Sequence, residues 1–308
     1  MGIPASGEQW TIRHGSQEAT VVQVGGGLRT YTVDGLDVLA GYGPDEMAAS
    51  GRGQLLMPWP NRIRDGKYSF DGKERQLSIT EVPLHNASHG LVRWAQWELV
   101  RVQAGESAVT VRHRLLPQPG WEGILLLVVD YYLGETGLQV STSATNVGDA
   151  RVPFGYGAHP YLAIGDTPLA DVELTLPADT EVLVDDRSIP TGTEAVRPET
   201  DFRQGRRLGD VRLDTAYTDL ARDADGRWRV TLSGLANRPP VTLWGDEAFG
   251  WTQVFTAKGE DDFTGGVRGI AVEPMSCPAN AFNSGDGLVV LEPGQSWTGT
   301  WGISPSAG

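Results

Sequence analysis

The sequence contains a single cysteine, Cys277, and only five histidines among its 308 residues. One cysteine cannot form an internal disulfide or a cysteine-based zinc site, so no covalent framework holds the fold. Basic residues are also scarce, because 25 lysines and arginines stand against 39 aspartates and glutamates. The resulting formal charge of −14 repels phosphate backbones and anionic lipid surfaces. We therefore expect neither a nucleic acid nor a membrane as a partner.

Long apolar runs and nucleotide-binding loops are missing as well. The longest aliphatic run, from Ile124 to Val129, is far shorter than the roughly 20 residues that a membrane-spanning helix needs. The first residues lack the basic and apolar regions of a secretory signal. Neither a Gly-x-Gly-x-x-Gly turn ahead of a helix nor a Gly-Lys-Ser loop occurs. These observations favour a cytoplasmic protein that uses no nicotinamide or ATP.

The sequence is rich in segments of strand character. Alternation of apolar and polar side chains predicts strands with one buried face, and it occurs in residues 109–115, 138–144 and 227–232. Continuous apolar runs favour strands that are covered on both sides, and they occur at residues 124–133 and 288–291. No fixed-period repeat is present. The predicted fold is therefore all-β, a large antiparallel β-sandwich.

Turns and boundaries support one continuous domain. Asp71-Gly72 separates two candidate strands and predicts a tight hairpin, because this dipeptide readily adopts positive φ angles. A helix is predicted only near residues 45–49. Residues 185–210 are rich in Pro, Gly, Arg and Asp, but strand-like segments of the same kind flank them, so we interpret them as a long surface loop. We therefore predict a single domain over residues 1–308.

His159 is the histidine with the most informative surroundings. Small residues and aromatics enclose it in the segment 154–161, where they would let a ligand approach the backbone closely, and Pro160 stiffens the chain after it. A plain turn between strands is the alternative, and composition does not decide between the two. His113 lies on the apolar face of an alternating strand and is interpreted as a hydrogen-bonded residue of a sheet.

His85 and His89 have a spacing that would suit zinc ligands on a helix. Pro83, Asn86 and Gly90 instead indicate a loop or an irregular strand, so a metal site is the weaker interpretation and none is predicted.

Glu273 is the carboxylate that could complement His159. It ends the apolar run 269–272, where burial would raise its pKa toward the range of a general base. A strand-end glutamate without a role is the alternative. The rigid segment 58–66 adds Arg62, whose planar guanidinium could pair with hydroxyls or an anion. Ten of the 25 aromatic residues are tryptophans, whose indole faces stack well on the C–H faces of sugars.

Six ordered motifs carry a resemblance to a known family. They are Asn61-Arg62-Ile63 with Gly66-x-Tyr68-x-Phe70-x-Gly72, His89-Gly90 ahead of Trp97, His159-Pro160-Tyr161, Leu213-Asp214, Gln253-Val254-Phe255-Thr256, and Val272-Glu273-Pro274. From about residue 20 to residue 303 the sequence resembles the aldose 1-epimerase (mutarotase) family. Within it, His-Gly-Leu and Glu-Pro-Met are similar to a bacterial branch rather than to the galactose mutarotases proper, and the identity of the sugar stays open.

The resemblance implies a β-sandwich of the galactose mutarotase-like (supersandwich) type that binds a monosaccharide in an open cleft, as a monomer or homodimer. It implies that Glu273 is the general base and His159 the general acid, while His89 supports the ring oxygen. The other residues that it implies for sugar binding are Asn61, Arg62, Asp214 and Gln253. The reaction it implies interconverts the α and β anomers of a free hexose without cofactor or metal.

The residue types suit that chemistry. Opening the ring removes a proton from the C1 hydroxyl and delivers one to the ring oxygen, so one base and one acid suffice. Closure after rotation about C1–C2 exchanges their roles, and we expect neither pKa to lie far from the working pH.

Two alternatives stay open. A hexose 6-phosphate or a sulfonated sugar would need cationic groups at the far end of the cleft, for which Arg62, Arg64 and Arg93 are candidates, although the negative net charge favours a neutral aldose. A non-catalytic carbohydrate-binding protein could also use such a fold.

Overall fold

The structure, a computed structural model, describes residues 2–102, 106–256 and 268–305, and two large antiparallel sheets dominate them. The first has nine strands, in the spatial order β10 (Glu98–Val102), β11 (Ala108–Leu115), β12 (Leu125–Gly134), β13 (Gly137–Asn146), β27 (Ser296–Ser304), β23 (Val241–Gly245), β22 (Trp228–Ser233), β17 (Glu173–Thr175) and β20 (Arg206–Arg207). The second has eight, in the order β19 (Pro190–Ala195), β18 (Ala178–Val184), β21 (Asp214–Leu220), β24 (Trp251–Phe255), β25 (Gly269–Met275), β15 (Gly157–Ala158) and β5 (Leu55–Leu56), and β16 (Tyr161–Ala163) also pairs with β25.

Smaller sheets complete the described part of the chain. They are β1 (Gln9–His14), β2 (Gln17–Val22), β3 (Leu28–Val33) and β4 (Leu36–Asp37) in one sheet, and the pairs β6 (Arg62–Arg64) with β9 (Asn86–Ser88), β7 (Lys67–Phe70) with β8 (Lys73–Gln76), and β14 (Val152–Phe154) with β26 (Val289–Leu291). Helix is limited to α1 (Ala281–Ser284) and the 3-10 turns Ala49–Gly51 and Leu169–Asp171 in these residues. None of the described helices is long and apolar enough to cross a bilayer. The all-β antiparallel fold expected from the sequence is confirmed.

Side-chain alternation explains the nine-stranded sheet. The three alternating segments form β11, β13 and β22, as predicted, and their apolar residues point into the core. The run at 124–133 forms β12, but only one of its faces is fully buried, because Leu126 and Val128 are half-buried and Tyr132 is exposed. The run at 288–291 yields the short strand β26, in which Val290 is exposed. The expectation that these two runs are covered on both sides was therefore wrong.

The Asp71-Gly72 hairpin forms as predicted. Phe70 pairs with Lys73, which leaves a two-residue loop between β7 and β8. Asp71 and Gly72 have φ angles of 53° and 73°, the positive values that a type I′ turn requires at both positions.

Two local predictions were wrong. Residues 45–49 do not form a helix, because the chain makes only the 3-10 turn Ala49–Gly51, in which Ser50 has a φ of 55°. The segment 185–210 is a loop only in part, since β19 pairs with β18 and β20 pairs with β17. Its strands escaped notice because β19 is a polar edge strand with no buried face.

One cluster of buried apolar side chains extends from Trp10 to Ile303 and includes residues of both large sheets. It supports our proposal that the chain forms a single domain.

Candidate active site

An open cleft of about 560 Å³ lies on the face of the eight-stranded sheet that points away from the main core. The seven residues that the sequence predicted for the site all line it: Asn61, Arg62, His89, His159, Asp214, Gln253 and Glu273. The strand registers explain why residues so distant in sequence meet here.

His159 lies opposite Glu273. Gly157 pairs with Met275 on one side of it and Tyr161 pairs with Ala271 on the other, so the register places His159 level with Glu273 across the interruption between β15 and β16. Because directly opposite residues of antiparallel strands point to the same face, both side chains enter the cleft.

Two rows of side chains cross the floor of the cleft. On the other flank of β25, Gln253 of β24 pairs directly with Glu273, which extends the first row. The second row lies two residues along each strand, where Asp214 pairs with Phe255 and Phe255 pairs with Ala271. A residue two positions along a strand returns to the same face, so both rows share the cleft. β25 continues through Pro274 to Met275, and Glu273 is therefore inside the strand rather than at its end as the sequence suggested.

The carboxyl and the imidazole are in close contact and deeply buried. Nε2 of His159 lies 3.3 Å from Oε1 of Glu273, and the side chains are only 8% and 3% exposed. The second carboxyl oxygen, Oε2, has no hydrogen-bond partner among the described residues. One oxygen of this buried carboxyl therefore has an unused hydrogen-bonding position.

Burial moves both pKa values toward the neutral forms. It raises the pKa of Glu273 well above its ordinary value, and the nearby Asp214 carboxylate adds to this rise, while Arg62 opposes it. Burial lowers the pKa of His159 to about 4, and the guanidinium groups of Arg93 and Arg62 contribute to that fall. The pKa of His159 thus lies farther from neutrality than the sequence led us to expect, because the imidazole is desolvated beside cations.

A hydrogen-bonded chain of polar side chains borders the pair. Gln253 donates from Nε2 to Oδ1 of Asp214 at 2.7 Å and accepts from Nδ2 of Asn61 at 3.4 Å. Asn61 in turn accepts from Arg62 at 3.2 Å. Arg62 makes a bidentate contact with Glu81, with Nε–Oε2 at 2.9 Å and a second guanidinium nitrogen 3.0 Å from Oε1. Each member is therefore held by its neighbour, which fixes the polar groups that face the cleft.

His89 lies on the opposite wall and faces His159. Its ring is 5.6 Å from that of His159 at an interplanar angle of 77°. Its backbone N–H donates to the carbonyl oxygen of Asn61 at 2.7 Å, and both residues have positive φ angles. The ring nitrogen Nδ1 is buried without a partner among the described residues, and burial lowers the pKa well below its ordinary value. A neutral imidazole therefore lines the cleft, and its Nδ1 is buried behind the surface.

The remaining histidines lie elsewhere. His113 is a residue of β11 whose Nδ1 contacts the carbonyl oxygen of Gln96 at 2.9 Å, as predicted. His85 lies on a loop beside Asp65, with Nδ1 and Oδ1 2.9 Å apart. No group of three or more His, Cys, Asp or Glu side chains within residues 2–102, 106–256 and 268–305 has an arrangement that would hold a metal ion.

The glycines before His159 have a different function from the one expected. A Cβ on Gly155 would lie 2.4 Å from Sγ of Cys277, and one on Gly157 would lie 2.7 Å from Cβ of Pro60. These glycines therefore allow close packing inside the protein rather than the approach of a ligand. Cys277 is fully buried, and burial raises the pKa of its thiol to about 12, so it is a core residue.

Three other side chains that line the cleft were not singled out from the sequence. Glu81 holds Arg62, Phe255 lies in the second row, and Tyr161 stacks on His159 with ring centroids 5.0 Å apart. Tyr161 and Phe255 lie inside motifs that already contained site residues, which was an available signal. Glu81 lies in no motif.

Comparison with known proteins agrees with this architecture. A galactose mutarotase-like protein from Clostridium acetobutylicum has the same fold, with a TM-score of 0.82 at 18% identity over 95% of this chain and 93% of that one. The sequence model of the aldose 1-epimerase family matches residues 8–304, and the chain belongs to this family.

Two sequence relatives illustrate the range of similarity. The uncharacterized protein YihR of Escherichia coli is 34% identical over 292 residues, which are 94% of this chain and 91% of that protein. Human galactose mutarotase is 33% identical over 165 residues, but this match spans only 50% of this chain and 47% of that protein.

Proposed function

We propose that the protein is an aldose 1-epimerase that interconverts the α and β anomers of a free hexose by acid–base ring opening and closure. The observation that carries the proposal is the contact of 3.3 Å between Nε2 of His159 and Oε1 of Glu273 at the floor of the cleft. A base and an acid this close can reach the C1 hydroxyl and the ring oxygen of one hemiacetal, because both oxygens are bonded to the same carbon.

In this mechanism Glu273 takes the proton of the C1 hydroxyl as His159 protonates the ring oxygen, and the C1–O5 bond breaks to give the free aldehyde. One proton is then on Glu273 and the other on O5, and His159 is left neutral. Burial favours this neutral form of both groups, since it raises the pKa of Glu273 and lowers that of His159. After rotation about C1–C2, Glu273 returns its proton to the carbonyl oxygen as His159 accepts the one on O5. The pair is then restored for the next turnover.

The polar chain beside the pair would hold the sugar. Asp214 and Gln253 are fixed to each other and offer their remaining hydrogen-bonding positions to hydroxyls. Arg62 has its guanidinium held by Glu81, so it can donate to a hydroxyl without losing its position. The neutral imidazole of His89 lies across from His159, where it would support the ring oxygen.

The test is the variant Glu273→Gln, which keeps the shape of the side chain and removes the base. We expect mutarotation of the preferred sugar, followed by polarimetry, to fall roughly 10²–10⁴-fold while binding of the sugar is largely retained. A matched control is Glu181→Gln, because Glu181 is equally buried in the same sheet, pairs with Arg197 and does not line the cleft. An unchanged rate in Glu273→Gln would refute the assigned base.

An anionic hexose, phosphorylated or sulfonated, is a second candidate substrate. Arg62 and Arg64 are paired with Glu81 and Asp185, whereas Arg93 lines the cleft and has no carboxylate within ion-pair distance among the described residues. Burial lowers the pKa of this guanidinium, and an anion in the cleft would compensate the loss of solvation.

The two substrate classes are distinguished by NMR measurement of anomerisation with glucose, galactose and glucose 6-phosphate. Acceleration confined to the phosphate ester, and lost in Arg93→Gln, would establish the anionic substrate. Acceleration of the free hexoses that Arg93→Gln leaves intact would establish the neutral one. Sugar binding without acceleration of any anomerisation would instead indicate a carbohydrate-binding protein.

A further inference from the structure

The imidazole of His159 is packed against an aromatic ring and a backbone turn. The ring of Tyr161 is stacked on it, with centroids 5.0 Å apart and an interplanar angle of 16°. The backbone of Gly51 contacts it as well, since a Cβ there would be only 2.8 Å from Cδ2 of the imidazole. Gly51 has a φ of 77°, so both its conformation and its contact with the ring favour glycine.

The hydrogen bonds of His159 do not explain its orientation. A functional histidine is usually oriented by a hydrogen bond to the nitrogen that does not take part in the chemistry. Nε2 of His159 faces Glu273, but Nδ1 is buried and has no partner outside its own residue among the described side chains and backbone. The ring must therefore be held by its packing.

The hydroxyl of Tyr161 links its ring to the turn that contains Gly51. It donates a hydrogen bond to the carbonyl oxygen of Ser50 at 3.0 Å, which lies next to Gly51 in the same 3-10 turn. The backbone of Tyr161 is fixed independently, because it pairs with Ala271 on β25. One tyrosine thus supplies one surface and anchors the turn that supplies the other.

We propose that Tyr161 is a positioning residue that holds the imidazole of His159 against Glu273 by stacking and by anchoring the Gly51 turn. The inference rests on the proposed function of His159 as the acid. The imidazole is thereby kept in the position that proton transfer requires. A displacement of about 1 Å in such a group can cost about 100-fold in rate.

Three variants separate stacking from anchoring. Tyr161→Leu removes the aromatic surface, Tyr161→Phe keeps the surface and removes the hydroxyl, and Gly51→Ala presses a methyl group onto the imidazole. Tyr132→Leu is the matched control, because Tyr132 is an exposed tyrosine on β12 and lies outside the cleft.

We expect Tyr161→Leu to lower kcat about 100-fold with little change in KM, and Gly51→Ala to do the same, because the reacting group is misplaced while the sugar contacts remain. Tyr161→Phe should lower kcat by at most about tenfold, because it keeps the stacked surface and loses only the hydrogen bond that anchors the turn. The control should have the parent rate.

Titration of the imidazole C–H signal by NMR provides a readout that a purely structural role would not change. The charged and titratable groups that face His159 are Glu273, His89, Arg62 and Arg93. These four groups remain in each variant, so a change in the pKa of His159 reports how far the imidazole is exposed to water. In Tyr161→Leu this pKa should rise from about 4 toward the ordinary value of 6.5, whereas Tyr161→Phe should keep the low value.

The outcomes separate this inference from the proposed function. A folded Tyr161→Leu variant with the parent kcat and the parent pKa of His159 would overturn the inference. A rise in KM at unchanged kcat would also overturn it, because Tyr161 would then bind the sugar. Absence of mutarotation in the parent protein would contradict the proposed function, and the NMR titration would still test whether Tyr161 holds the ring.

Discussion

Glu273 of β25 lies directly opposite His159. His159 is in the short break between β15 and β16, which both pair with β25. The interruption contains Pro160, which has no N–H to contribute to a ladder. The chain nevertheless keeps its register with β25, because the carbonyl oxygen of Pro160 accepts from the backbone N–H of Val272 at 3.2 Å, and the imidazole is presented directly to the carboxyl. The relative position of the two groups is set by backbone pairing rather than by the loops at the rim.

Replacement of His159 by asparagine tests the assigned acid. Asparagine retains a polar side chain of similar reach but cannot deliver a proton to the ring oxygen. We expect His159→Asn to slow mutarotation roughly 10²–10⁴-fold in an NMR exchange assay, with sugar binding retained. His113→Asn is the control, since His113 lies on a strand of the other sheet. Normal turnover in His159→Asn would reassign the acid.

The low pKa of His159 predicts a specific dependence of stability on pH. The folded state binds this proton less readily than the unfolded state, with a pKa of about 4 against an ordinary value of 6.5. The contribution to stability is therefore complete above pH 6.5 and is lost as the pH falls through this interval toward 4. The loss amounts to at most about 1.4 kcal/mol for each unit of pKa difference.

Urea denaturation of the parent protein and of His159→Asn at pH 7, 5.5 and 4 measures this effect. The free energy of unfolding of the variant should fall less steeply with acidification, because asparagine does not titrate. His14→Asn serves as the comparison. Curves for the parent and His159→Asn that run parallel over the whole interval would show that the imidazole is not desolvated.

Glu81 should influence the reaction through Arg62. It accepts from Nε and from a second guanidinium nitrogen of Arg62, and it receives a hydrogen bond from Asn86 at 3.0 Å. The substitution Glu81→Gln leaves a neutral side chain with one acceptor oxygen that cannot hold both nitrogens, so Arg62 is held less firmly. We expect kcat/KM to fall about tenfold, the scale of one lost hydrogen bond to a charged group. Glu98→Gln, at an exposed ion pair with Arg112, should retain the parent value; an equal loss in both variants would argue against a specific effect.

Gly155 should be sensitive to the smallest side chain. A Cβ there would lie 2.4 Å from Sγ of Cys277, so Gly155→Ala should destabilise the fold by about 1–3 kcal/mol in urea denaturation, as overpacking of a core does. Removal of the sulfur in the double variant Gly155→Ala/Cys277→Ala should recover part of this loss. Gly192→Ala is the control, since a Cβ there meets no atom within 4 Å. Additive effects of the two substitutions would show that the glycine and the cysteine do not interact.

The sequence was sufficient for the fold class, and together with the family resemblance it named seven of the residues that line the cleft. Alternation in segments such as 138–144 has a direct physical cause, because one face of a strand is buried in the sandwich. Glu273 and His159 were recognisable because each lies in a short motif of unusual composition. They converge because the strands on either side of His159 pair with β25, which contains Glu273.

Other features depend on partners that no local pattern encodes. Glu81 reaches Arg62 because it bridges to Asn86 of β9, which pairs with β6, and neither its neighbours nor its spacing marks it. β19 was missed because both of its faces are largely exposed, so no alternation arises. Gly155 was assigned to ligand access because a sequence does not reveal that Cys277 occupies the space beside it.

The strand register aligns Glu273, His159 and Gln253 on the eight-stranded sheet. In the proposed mechanism, the residues that transfer protons are therefore separate from those that would select the sugar. The cleft is also lined by residues outside this sheet, including the exposed Val82, Pro83 and Trp94. Under the proposed function, exchange of these segments would alter which sugar enters without displacing Glu273 and His159. If the residues outside the sheet vary while Glu273 and His159 stay in place, one scaffold can accept new carbohydrates and keep the same proposed reaction. The same separation could be used in redesign.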